Sequence, residues 1–225
     1  MEYIDNMIAH LSEFLLYLAS HEQTETESLP ALDKLSEDLD LNRAALREQL
    51  EVARALGLVA VKPRTGTRRL PYTFTPAIQQ SLGYALARDR AYFEKYSDLR
   101  NHVESAYFDQ AVCQLTDEDI QEMKDLIEQA WKKLRGNPVQ IPHEEHRDLH
   151  LLMYRRLDNI FVTGLLEAYW EAYEAVGLNV FTDYSYLTNV WQYHTDIVEA
   201  IYNKDYKAGY NLLMEHTELI SARPH

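Results

Sequence analysis

With 225 residues, 46 % of them apolar and only 7 glycines and 7 prolines, the chain has the makeup of one large or two small folded, helix-rich domains, which excludes a disordered segment. A single cysteine, Cys113, rules out an internal disulfide framework and suits a reducing cytosol. No run approaches the ~20 apolar residues of a membrane span and no basic leader opens the chain, so a soluble cytoplasmic protein with no membrane partner is expected. The net charge of −14 is unevenly spread: residues 42–72 hold seven basic residues against two acidic ones, a +5 island on a remainder of −19. A basic island on an acidic body is what a small nucleic-acid-contacting surface needs.

In chain order, Ile4, Met7, Ile8, Leu11, Phe14, Leu15 and Leu18 recur at helical spacing and predict a first helix of about five turns, which the polar stretch His21–Ser28 ends. In LSEDLDLNRAALREQL, residues 35–50, Leu35, Leu39 and Leu41 form one apolar set and Asp40–Asn42 break it. A second run comes next, with Leu46 and Leu50 inward and Arg43 and Arg47 outward. Two short helices joined by a tight turn, the second with arginines one turn apart on its exposed face, fit a DNA major groove. Gly57 closes the second helix; LVAVKP reads as a strand, RTG as a turn and TRRLPY as the return strand.

Pro71 and Pro76 mark a join between domains, placed at 74/75. Beyond it, helical runs are predicted at 76–114, 117–135, 143–157, 160–176, 185–203 and 206–221, the first long enough to break near Ser97. Thr116 with Asp119 has the form of a capping box, and Pro138 with Pro142 separates the second and third runs. The class is mainly α: an N-terminal DNA-contacting unit with a small β-hairpin, then an antiparallel bundle of six or seven helices.

Four of the nine histidines form a pattern. His146 and His150 stand four apart and share a helix face, the spacing by which two imidazoles hold one metal. His194 lies 11 residues before Asp205 and His216 lies 11 after it, with the expected turn at Lys204–Asp205. In an antiparallel pair that equality puts both at one level, so the two histidine pairs can meet around one ion. A polar pocket that holds an anionic effector by hydrogen bonds alone is the competing use of the same residues.

The stretch LSEDLDLNRAALREQLEVARALGLVAVKPRTGTRRL resembles the winged helix-turn-helix of GntR-type bacterial transcription regulators, and the remainder resembles the all-helical FCD effector domain of that family's FadR-type branch. The resemblance implies DNA contact through Asn42, Arg43, Ala44 and Arg47 on the second helix and through Lys62, Arg64, Gly66 and Thr67 on the hairpin, the wing. Asp33 stands where the family usually has a basic residue, with Lys34 beside it as the substitute, and Ala44 and Ala45 replace the usual Thr-Pro. The words HRDLH, HTDIVEAIYNKD and LLMEHTEL carry over His150, His194 and His216 as metal ligands, and His146 replaces the family's aspartate. An all-imidazole site favours a divalent transition metal, Zn or Ni first, over Mg or Ca.

YSDLRNHVESA resembles the start of the effector domain and places Arg100 and Glu104 on one face. A buried arginine beside a metal suits a carboxylate effector; the competing arrangement is a surface pair at i, i+4. The resemblance further implies a homodimeric, ligand-responsive regulator on an inverted-repeat operator, a repressor rather than an activator. The alternatives are a regulator for which the ion itself is the signal, and a metalloenzyme. HEEH at 143–146 is not the HExxH of metalloproteases, and no general base stands out.

Overall fold

The computed structural model describes residues 6, 8–20, 28–62, 66–176 and 183–221. The chain folds as two compact units, Met1–Ser81 and Leu82–His225. The boundary falls inside a helix, seven residues beyond the join expected from Pro71 and Pro76.

The first unit holds α1 (Glu13–Ser20), α2 (Leu32–Asp38), α3 (Arg43–Ala55) and an antiparallel hairpin of β1 (Val59–Lys62) and β2 (Gly66–Arg69). Phe14, Leu18, Leu29, Leu35, Leu46, Ala53 and Val59 form its core. The first helix is shorter than its apolar period predicts. A turn at residues 9–10 interrupts it, Ile8 and Leu11 are exposed, and the helix restarts once Ser12 accepts the Leu16 N–H at 2.9 Å. Ile4, Met7 and His21–Glu27 lie outside the described residues. Gln49 of α3 locks α1 in place: its side-chain carbonyl accepts the Phe14 N–H at 2.8 Å and its amide donates to Glu13 at 2.7 Å.

The turn between α2 and α3 closes by a Schellman arrangement. Asp40 takes a φ of 52°, Leu41 N–H donates to Ser36 at 3.1 Å, and Asp40 N–H donates to Glu37 at 3.3 Å. Asn42 then caps α3, its side-chain oxygen accepting the Ala44 and Ala45 N–H groups at 3.0 Å each. Gly57, with φ 71°, ends α3 in the same way, as Leu58 N–H donates to Ala53 at 2.9 Å and Gly57 N–H to Arg54 at 3.0 Å. The hairpin register pairs Val59 with Arg69 and Lys62 with Gly66, and Ser28 bridges Arg68 from the other side.

From Thr75 every described element is helical: α4 (Thr75–Arg88), α5 (Tyr92–Val112), α6 (Asp117–Leu134), α7 (His143–Met153), α8 (Ile160–Val176), α9 (Tyr184–Tyr202) and α10 (Tyr206–Ser221). The long first run does break, at Asp89–Ala91 and not at Ser97. There the Asp89 carboxylate accepts the Ala91 N–H at 2.9 Å and draws the backbone out of the helical ladder. The 143–157 run stops at Met153, although Leu157 remains buried. The Thr116–Asp119 capping box forms, and Asp119 also receives two hydrogen bonds from Arg156 at 2.7 and 3.0 Å. Those bonds hold the Asp119 carboxyl well below the usual carboxylate range.

In the bundle α9 packs against α10 and α6, α6 against α7, and α5 against α8 and α10. The α9–α10 turn is a third Schellman closure, with Lys204 at φ 59° and Asp205 N–H donating to Ala200 at 2.9 Å. Among the described residues no helix is long and apolar enough to cross a membrane.

Candidate metal centre and DNA-contact face

Three helices bring the histidines together inside the second unit. His146 and His150 project one turn apart from α7, His194 comes from the middle of α9, and His216 from α10. The level set by the 204–205 turn is met, since the His194 and His216 rings lie 4.4 Å apart, centroid to centroid. His146 stands 5.0 Å from His150 and 4.7 Å from His194 by the same measure. One ring nitrogen from each of the four lies within 4.8 Å of all the others. His150, His194 and His216 have no solvent exposure, whereas His146 is only partly buried.

Burial pushes the imidazoles of His150, His194 and His216 well below the usual histidine range, so they are neutral at pH 7 with lone pairs unblocked by added protons. His194 Nδ1 and both nitrogens of His216 are buried without a hydrogen-bond partner. Unpaired buried nitrogens are costly. Four convergent imidazoles, three of them held neutral by burial, fit a borderline-soft divalent ion, and the donor set suits Zn or Ni better than an oxygen-seeking cation.

Arg100 and Glu104 sit on α5 against this cluster, not on the surface. They are 1 % and 0 % exposed and pair at 2.9 Å, so the exposed i, i+4 alternative is wrong: that face of α5 is the inner one, packed on α8 and α10. Arg100 Nη2 lies 2.9 Å from His150 Nδ1, and Glu104 Oε1 lies 3.2 Å from the same atom. The guanidinium lies against Tyr169 and Trp170, 4.7 and 5.4 Å from their ring centroids. Burial raises the Glu104 carboxyl to about 7, with Arg100 and His216 opposing the shift. Arg100 Nε and Trp170 Nε1 are buried donors lacking an acceptor, and Arg100, His146 and Trp170 border a cavity of about 20 Å³. That volume admits a water-sized guest, and a larger molecule must widen it. Glu145, the acidic residue next to His146, turns away to Lys133 at 2.6 Å.

Tyr169, Trp170 and Trp191 form the walls of the centre, with Trp170 4.8 Å from His146 and Trp191 5.0 Å from His194 between ring centroids. Sequence reading did not single them out. All three sit at apolar positions on helices, where their periodicity reports only the core. His102 is exposed and bonds its own helix at 2.8 Å, away from the cluster, and His143 is no member of the four-histidine group.

In the first unit Arg43, Ala44 and Arg47 are exposed along α3, with Asn42 at its start. Arg47 makes no ion pair among the described residues, whereas Arg43 Nη2 lies 2.6 Å from Asp33 Oδ1. Lys34, exposed beside it, pairs with Asp38 at 2.7 Å. On the hairpin, Lys62 and Gly66 are exposed, Thr67 is half-buried with its carbonyl accepting the Leu29 N–H, and Gly66 has a φ of 85°. Arg64 lies outside the described residues.

Residues 96–219 match the family model of the FCD domain, which is more than half of the chain. Among solved structures, the chain is similar to the GntR protein of Streptococcus agalactiae at 19 % identity and a TM-score of 0.70, with 95 % of this chain and 97 % of that one covered. It is also similar to McbR/YncC of E. coli at 17 % identity and a TM-score of 0.52, covering 93 % and 91 %. At such identities the likeness shows the fold, a winged helix-turn-helix followed by a helical domain. A comparison with curated proteins gives no match.

Proposed function

Because the chain belongs to the FCD-domain family, we propose that it is a ligand-responsive transcription regulator of the FadR-type GntR group. In this reading it acts in the cytoplasm as a homodimer, lays α3 of each subunit in a major groove of an inverted-repeat operator, and represses. His146, His150, His194 and His216 hold a Zn or Ni ion, which supplies Lewis acidity and open coordination positions to a small carboxylate effector. The observation that carries the reading is the convergence of four imidazoles beside the buried Arg100 in the FCD-matching part of the chain. The donors of Arg100 and Trp170 that lack acceptors favour an anionic effector.

The test is an operator recovered from a random DNA pool, followed by fluorescence anisotropy of the pure protein with Zn or Ni and with a panel of small carboxylates. Equal operator affinity with and without every ligand would remove the coupling. The cavity of about 20 Å³ favours one variant of the reading, in which the ion alone is the signal. That variant requires the metal titration to change affinity with no carboxylate present.

Two substitutions address the DNA face. Arg47→Ala, which removes an exposed guanidinium with no ion pair among the described residues, should weaken operator binding by about 10- to 100-fold. Unchanged binding would place the interface elsewhere. Asp33→Asn should do the opposite, because the Asp33 carboxylate pairs with Arg43 at 2.6 Å and would repel any phosphate that Arg43 meets. It should raise affinity and steepen the logarithmic salt dependence by about 0.9. An unchanged slope would show that Arg43 does not meet phosphate.

A further inference from the structure

His150 presents its two ring nitrogens to different neighbourhoods. Nε2 points into the cluster, 3.1 Å from His194 Nε2, and Nδ1 points outward to α5. If Nε2 is to offer a lone pair to an ion, the ring proton must sit on Nδ1, and that N–H needs an acceptor. Two groups approach Nδ1: Arg100 Nη2 at 2.9 Å and Glu104 Oε1 at 3.2 Å. A guanidinium carries donors only and cannot receive the proton's hydrogen bond. Glu104 can: its Oε1, which also pairs with Arg100 at 2.9 Å, already faces Nδ1, and its Oε2 is buried without a hydrogen-bond partner.

The two neighbours therefore select opposite tautomers. When Arg100 donates to Nδ1, the proton is on Nε2 and is given to His194 Nε2, so one contact occupies the metal-facing atoms of two histidines. When Glu104 accepts from Nδ1–H, both Nε2 lone pairs are free. We propose that Glu104 is the positioning residue of the centre. It fixes the Nδ1–H tautomer of His150, and by displacing Arg100 from that nitrogen it turns one guanidinium N–H towards the effector carboxylate. Metal loading and readiness for the anion are then one event, passed through a single ring. The inference rests on the metal-binding reading above.

The experiment measures Zn affinity by competition with a chromophoric chelator for the full-length wild type and for Glu104→Gln. It adds ring-nitrogen NMR of the Zn-loaded wild type. The expected result is a 10- to 100-fold loss of affinity in the variant, the usual cost of removing a partner that orients a ligand, together with a protonated His150 Nδ1 in the wild type. Affinities within about twofold, or an unprotonated Nδ1, overturn the proposal while leaving the metal centre standing. A wild type that binds no Zn overturns the metal reading and this one with it. A Glu104→Gln protein that does not fold leaves the wild-type NMR result to decide.

Discussion

Purified without a histidine tag, the wild-type protein is expected to carry about one Zn or Ni ion per chain, and a His150→Ala, His194→Ala variant none. The reason is electrostatic as much as geometric. Burial keeps these two imidazoles and that of His216 uncharged at neutral pH, so an incoming ion displaces no protons from them. The cluster satisfies few of its own ring nitrogens: His194 Nδ1 and both His216 nitrogens have no hydrogen-bond partner. The variant keeps only His146 and His216, from α7 and α10, and two imidazoles do not make a closed site. Binding also stabilises: at a free-metal concentration 100 times the Kd, the folded state gains about 2.7 kcal/mol. Zn should therefore raise the wild-type melting temperature and leave the variant unmoved. Elemental analysis with calorimetry checks both. No ion in either protein, even after soaking with Zn and Ni, would turn the cluster into a metal-free polar pocket, and the DNA-contacting half would be unaffected.

Gly57→Ala should unfold the DNA-contacting unit at far lower temperature. At φ 71° the residue occupies left-handed space that costs a side-chain-bearing residue about 1–2 kcal/mol. A Cβ there would also stand 2.5 Å from Pro76 Cγ and 3.0 Å from Pro76 Cβ. A proline ring can change pucker but cannot swing its Cβ away from the backbone, so the start of α4 must shift. Strain and overpacking together give a loss of about 2–4 kcal/mol, enough to lower the melting of a unit this small by roughly 10 °C or more. Operator affinity should fall with it. Gly83→Ala is the control, because a Cβ at Gly83 meets nothing within 4 Å and the position lies inside α4. It should be neutral or stabilising. Equal melting of the two variants would mean that the closure of α3 is not under steric control from Pro76.

How far the sequence was legible depends on the range of the forces involved. Helix limits from α6 onward sit within a residue or two of their predicted places, apart from the early stop at Met153, because capping and period are local: Thr116 with Asp119 starts α6 wherever that helix packs. The meeting of His194 with His216 was also legible, since a hairpin fixes register by counting from its turn. The break at Asp89–Ala91 was not, because one Asx-type hydrogen bond within a continuous apolar period leaves no trace in that period. Neither was the start of the first helix. Ile8 and Leu11 keep a helical spacing, yet both remain exposed. Spacing placed Arg100 and Glu104 on one face of α5 and left open which face. Only the packing of α5 on α8 and α10 decides it, and that depends on residues far away in the chain. The Asp33–Arg43 pair is of the same kind, a contact between two helices whose crossing no local pattern encodes.

The walls of the centre give it an optical signature. Of the three tryptophans, Trp170 and Trp191 are almost fully buried and press on His146 and His194. Trp131 is half-buried, donates its indole N–H to Thr195 at 3.0 Å and makes no ring contact with the four histidines among the described residues. A change of charge among the histidines must alter the field across two indoles of the three, and a paramagnetic ion there must quench them. The chain therefore carries its own reporter. Occupancy of the centre can be followed in the intrinsic fluorescence of the unlabelled protein while operator DNA, which lacks tryptophan-like emission, is titrated in the same cuvette.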